Sequence, residues 1–154
     1  MIDKNPIEIR KLNRELAGPL HAFFEDLIES GDQRYFHPHP FTRDQVNHIV
    51  EFDGDDLYFA LLKGSDIFGY GMLRGWDEGF VIPSLGIIIR KNMRGKGFGK
   101  LLMHFLHVIA KERGADQVRL KVYPDNLNAI NLYESMGYKF GSLENGQLVG
   151  FIQV

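Results

Sequence analysis

Gly95, Gly97 and Gly99 alternate with Lys96 and Phe98, flanked by Arg94 and Lys100, and the apolar run Leu85 to Ile89 stands just before them. A short run rich in β-branched residues reads as a buried strand. The pattern turns helical from about Gly97. Strand, glycine turn and helix start together present backbone N–H groups to a phosphate. Glycine permits the tight turn and the close approach of an oxyanion, and the first helical turn has unpaired donors and a partial positive charge. The residues therefore predict a site for a pyrophosphate-bearing cofactor. A strand-to-helix turn with no ligand is the competing reading.

Two other phosphate motifs fail here. No stretch supplies Gly-x-x-x-x-Gly-Lys-Ser/Thr. The dinucleotide pattern Gly-x-Gly-x-x-Gly would start at Gly95 and Gly97 but meets Lys100 at its third position, with no clean acidic match downstream. Arg94-x-x-Gly97-x-Gly99 does fit a pattern, as does Asn126-Leu-Asn-Ala129-Ile-Asn-Leu132-Tyr133-Glu-Ser-Met-Gly137-Tyr138 further along. In that order the two segments resemble the acyl-coenzyme A signature of the GNAT (Gcn5-related N-acetyltransferase) superfamily, and the likeness in element order runs from about Ile7 to Val154.

The resemblance implies acyl transfer from the thioester of acetyl-coenzyme A to an amine. It implies a pyrophosphate seat at Arg94, Gly95, Lys96, Gly97, Phe98, Gly99 and Lys100. It also implies a pantetheine arm beside the preceding strand, with backbone N–H groups of Gly86, Ile87, Ile88 and Ile89 free to donate to a developing oxyanion. Tyr133 occupies the family's general-acid position; an unperturbed tyrosine is protonated at neutral pH and can donate to a thiolate. Asn126 is implied as a pantetheine contact, against a plain helix cap.

Acceptor residues are less sharply marked. Tyr35, Phe36, His37 and His39 lie in a proline-stiffened aromatic loop that borders the acceptor pocket in GNAT folds, and His37 is a candidate base. Trp76, Asp77 and Glu78 precede the cofactor strand, where carboxylates would attract an ammonium group, and Glu78 could relay its proton. A solvated turn is the alternative for these three. His104 and His107 share a helix face with Lys100 and Lys111 and read as solvent-facing, with no metal site expected. Arg119 and Lys121 alternate with Val118, Leu120 and Val122; a solvated sheet face is the simpler reading, contact with an anionic group of acceptor or cofactor the other.

At 154 residues the chain fits one domain, and 44% hydrophobic with 25% charged residues is ordinary for a globular protein. A formal charge of -2 gives no global drive toward nucleic acid or anionic membrane, so phosphate affinity must be local, around Arg90, Lys91, Arg94, Lys96 and Lys100. The absence of cysteine excludes disulfides and a thiolate nucleophile. No apolar run approaches membrane-spanning length, which makes a cytoplasmic protein the default expectation. Homodimerisation is compatible with these features but not read from them.

Strands are predicted at Ile7 to about Lys11, Leu57–Lys63, Ile67–Arg74, Phe80–Arg90, Val118–Val122, Tyr138–Ser142 and Gln147–Gln153. Helices are predicted from Gly18-Pro19 to Gly31, from Arg43 to about Glu51 behind the cap Thr42, over Gly97–Arg113, and from Asn126 to Gly137. The third helix would bury Leu101, Leu102, Phe105, Leu106, Val108 and Ile109. The order βααβββαβαββ describes a single-domain α/β sandwich, a mixed central sheet flanked by helices, as the GNAT resemblance also implies. A small-molecule primary amine is the expected acceptor, with an amino sugar, amino acid or polyamine all fitting. A protein or peptide amine, or a non-catalytic acyl-coenzyme A-binding module, are the alternatives.

Overall fold

A computed structural model describes residues 1–154. Its elements are β1 (Ile7–Lys11), α1 (Ala17–Ser30), α2 (Arg43–Val50), β2 (Leu57–Lys63), β3 (Asp66–Arg74), β4 (Ser84–Ile89), α3 (Phe98–Glu112), β5 (Gln117–Val122), α4 (Leu127–Met136), β6 (Lys139–Glu144) and β7 (Gln147–Gln153), with short 3-10 turns between some of them. The order is the expected βααβββαβαββ. One seven-stranded sheet results, in the spatial order β1-β2-β3-β4-β5-β7-β6.

Strand alternation divides the apolar residues between two layers. Along β2, Tyr58, Ala60 and Leu62 face α1 and α2, where they meet Leu20, Phe23, Phe24, Leu27, Val46 and Ile49. Leu57, Phe59 and Leu61 face the other way, toward Leu102, Met103, Leu106 and Ala110 of α3. Each fully buried side chain of this kind contributes about 1.5–3 kcal/mol. Thr42 caps α2 as expected, its Oγ1 accepting from Gln45 N at 3.2 Å. Asn145 (φ 50) and Gly146 (φ 81) turn the closing hairpin, whose two left-handed central residues match the twist of the paired strands.

Three expectations change. The fourth strand begins at Ser84 rather than Phe80, because β3 has no residue beyond Arg74 to pair with anything before Ser84. Phe80 and Val81 consequently lie exposed. In α3 the inward stripe is Leu102, Met103, Leu106 and Ala110, and Leu101 and Val108 point outward. His107 is buried within that helix, and its Nε2 pairs with the Tyr138 hydroxyl at 2.7 Å. Tyr138, two residues beyond α4, supplies that cover, which the helix's own periodicity cannot reveal. His104 is exposed, as expected.

Gly71 of β3 lets α3 approach the sheet. A Cβ there would stand 3.1 Å from both Leu102 Cδ2 and Leu106 Cδ1. Gly71→Val is expected to cost about 1–3 kcal/mol through overpacking, measured by urea denaturation; an unchanged midpoint would contradict this packing. Burial also lowers the pKa of His39 and of His107 to about 4. Unfolded histidines titrate near 6.5, so between about 6.5 and about 4 the unfolded chain binds more protons and stability falls as pH falls. His107→Gln should reduce that loss when denaturation midpoints are compared across the window.

Candidate active site

Strand β4 is bonded fully on one side only. It runs antiparallel to β3 through six registered pairs, Gly69↔Ile89 to Arg74↔Ser84. Its parallel contact with β5 is the single pair Ser84↔Arg119, beside which Arg119 N donates to Pro83 O at 3.0 Å. The two strands then part, and the edge of β4 from Gly86 to Ile89 faces the gap.

Beyond the gap lies the glycine turn. Gly95 (φ 74) and Gly97 (φ 92) take left-handed conformations, and no atom lies within 4 Å of where their Cβ atoms would be. Gly97 is the residue at the N-cap of α3 and has no side chain to cap it. From Gly95 through Lys100 no backbone N–H meets an acceptor in the protein; the first to do so is Leu101, bonded to Gly97 O at 3.0 Å. A run of unpaired donors at a helix N-terminus, open to solvent and lined by glycine, is a seat for an anion. Gly99 stands close to α4, where its Cβ would meet Leu132 Cδ2 at 3.6 Å.

The nearby cations divide into two groups. Arg90 is bound by Asp66 at 2.7 Å and Asp26 at 3.4 Å. Arg94 donates to Ile89 O and to Asp32 Oδ1, each at 2.8 Å. These arginines brace the turn against β4 and α1 and are already paired. Lys91, Lys96 and Lys100 form no ion pair and supply the free positive charge. Sequence alone counts the five cations together; the acidic partners on α1 and β3 separate them.

At the other end of the split, a groove of about 180 Å³ is lined by Tyr35, Phe36, His37, Pro38, Met72, Arg74, Ser84, Leu85, Gly86, Lys121 and Gln147. Tyr35, Phe36, His37 and Gly86 thus come together. His37 Nδ1 lies 2.8 Å from Gln33 O, and its Nε2 lies 2.7 Å from the Tyr123 hydroxyl. A carbonyl only accepts, so Nδ1 carries the proton and Nε2 accepts from Tyr123. Tyr123 was not marked in the sequence, because it follows β5 as an isolated aromatic with no motif around it. Arg74 was not marked either; alternation after Tyr70 and Met72 is the signal that places it on their face.

Tyr133, on α4, packs against Tyr138 with ring centroids 5.9 Å apart. Burial pushes its phenol up to about 12, so it holds its proton at neutral pH. Asn126 precedes α4, yet its side chain makes no capping hydrogen bond. Neither residue lines the groove beside His37.

His39, Trp76, Asp77 and Glu78 lie outside that groove. His39 is half-buried at the edge of the core: Nδ1 donates to Pro40 O, Nε2 pairs with the Tyr70 hydroxyl, both at 2.8 Å, and Phe24 and Phe41 pack around it. The Asp77 carboxylate accepts from the N–H groups of Asp55 and Asp56 at 2.9 and 2.8 Å, and these bonds lower its pKa. Trp76 lies under the Arg113 guanidinium, 5.1 Å away. This turn ties β2 to β3 and does not face the groove. Its acidic composition resembles a binding site because the loops it caps are hidden from sequence.

The model of the acetyltransferase (GNAT) family matches residues 20–138, and the chain belongs to that family. It is 33% identical over 101 residues to a streptothricin acetyltransferase of Streptomyces lavendulae, matching 66% of this chain and 48% of that protein. The chain thus spans about half the length of that relative. It is 30% identical over 118 residues to an uncharacterised N-acetyltransferase of Bacillus subtilis, covering 74% and 69% of the two chains. Among solved structures, a PaiA N-acetyltransferase of Thermoplasma acidophilum in complex with coenzyme A superimposes with TM-score 0.81 at 19% identity, covering 97% of this chain and 99% of that one. That likeness is one of fold.

Gly97→Asp should weaken coenzyme A binding by about tenfold or more, since it adds a carboxylate where the turn offers donors. Titration calorimetry on the folded variant checks this, and wild-type affinity would refute the anion seat.

Proposed function

We propose that this chain transfers an acetyl group from acetyl-coenzyme A to a primary amine of a small molecule. The observation that carries the reading is the run of unpartnered N–H groups from Gly95 to Lys100 at the end of a strand that parts from its neighbour. The residues fit the ligand: an open glycine cradle and unpaired Lys91, Lys96 and Lys100 suit a pyrophosphate, and the gap beside β4 suits an extended arm. Bound there, acetyl-coenzyme A supplies the activated acyl carbon.

The rest of the chemistry belongs to the chain. Backbone N–H groups along Gly86, Ile87, Ile88 and Ile89 are the donors for an oxyanion, a role typically worth ~2.7–4 kcal/mol per donor. His37, in the groove, takes the amine proton through Tyr123: the Tyr123 hydroxyl proton passes to Nε2 as its oxygen receives the proton of the amine. The amine lone pair forms the new C–N bond as the C–S bond breaks, and Tyr133 gives its proton to the departing sulfur. Asn126, with its side chain uncommitted, is assigned to the pantetheine arm. The name of the Streptomyces lavendulae relative, a streptothricin acetyltransferase, supports a small acceptor.

Thiol release from acetyl-coenzyme A in the presence of an amine panel tests the reaction. Tyr133→Phe should lower kcat by about 100-fold or more while leaving coenzyme A affinity within about twofold of wild type. Unaltered turnover would remove Tyr133 from the acid role.

A further inference from the structure

The groove beside β4 has cationic side chains and no carboxylate in its lining. Arg74 and Lys121 are the charged residues among its walls. On β3 the alternation that sends Tyr70 and Met72 toward α1 brings Arg74 to the same face, at the strand's end. The Arg74 guanidinium donates to Pro38 O at 3.2 Å and forms no ion pair. Asp56 and Asp77, near this corner, are spent elsewhere: Asp56 accepts from the N–H groups of Gly75 and Asp77, and Asp77 from those of Asp55 and Asp56. Across the groove, Arg119 and Lys121 share one carboxylate, Glu144, at 2.8 and 3.3 Å. Arg119 Nε is buried with no partner at all. Lys121 is therefore paired, and Arg74 is the lining cation with no carboxylate partner.

A guanidinium held by the Pro38 carbonyl and beside the Tyr58 hydroxyl still keeps donors free among its five, and its planar fork matches a carboxylate or phosphate. We infer that the acceptor amine also carries an anionic oxygen group, a carboxylate or a phosphate, and that Arg74 binds it with Lys121 on the opposite wall. This inference rests on the acetyltransferase reading above and narrows it. A polyamine would bring further positive charge into a groove already positive, so polyamines fall outside the class.

Two substrate pairs test this, each differing by the anionic group: ornithine against putrescine for a carboxylate, and glucosamine 6-phosphate against glucosamine for a phosphate. In at least one pair kcat/KM should favour the charged member by about tenfold or more. Arg74→Gln should bring that ratio close to one, chiefly through KM, with acetyl-coenzyme A affinity retained; Arg74→Lys should keep part of the preference. The pair that responds identifies which anion is bound. With acetyl-coenzyme A bound, the absence of any preference for a charged member, whether both turn over alike or neither does, overturns the inference and leaves the cofactor assignment standing. A preference that survives Arg74→Gln also overturns it. Failure to bind acetyl-coenzyme A at all would overturn the acetyltransferase reading and this inference with it.

Discussion

The parting of β4 from β5 is the constraint on which the rest of this structure depends. A parallel pair inside a mixed sheet would ordinarily continue its ladder, and here it stops at Ser84↔Arg119. Strand β4 keeps its place because β3 holds it along its whole length and because its side chains alternate between the two cores, Ile88 toward α1 and Ile87 toward α3. One edge of the strand is thereby released without loss of the strand itself. The same divergence opens the groove at one end and leaves the start of α3 uncovered at the other. A sheet closed at this point would have neither.

Electrostatics then divides the opening into regions. Near the glycine turn, acidic residues of α1, β3 and the turn after α1 take up Arg90 and Arg94, so these arginines hold the loop's shape while lysines carry its free charge. Around the groove the balance reverses, and Arg74 and Lys121 stand in a lining without acids. His37 and Tyr123 form a hydrogen-bonded pair beside the groove, anchored to the Gln33 carbonyl. Tyr133, kept protonated by burial, lies apart on α4. In the reaction proposed above, donor, base and acid belong to different elements of the fold.

The element order was legible because alternation and helical periodicity are strong over β2, β3, α1 and α3, and because Thr42, Gly31 and Asn145-Gly146 punctuate the chain with known local conformations. The glycine turn was legible for the same reason: positive φ and an uncapped helix start are local properties. What sequence concealed was pairing at a distance. His107 appears on the polar side of its helix, and only Tyr138 makes it a buried residue. Asp77 and Trp76 have the composition of a binding turn, yet their partners Asp55, Asp56 and Arg113 lie on other segments. His39 carries the same lesson, its place decided by Tyr70 and Phe24. Tyr123 and Arg74 gain meaning only once His37 and the groove are seen beside them.

We propose that the N–H groups from Gly95 to Lys100, unpaired in the protein, bind the pyrophosphate of acetyl-coenzyme A. Amide proton and nitrogen shifts followed during titration with acetyl-coenzyme A, with ATP and NAD as controls, test it directly. The account predicts the largest shifts at those amides, with acetyl-coenzyme A at concentrations where ATP and NAD produce little change. Shifts confined to other regions, or equal responses to all three ligands, would contradict it.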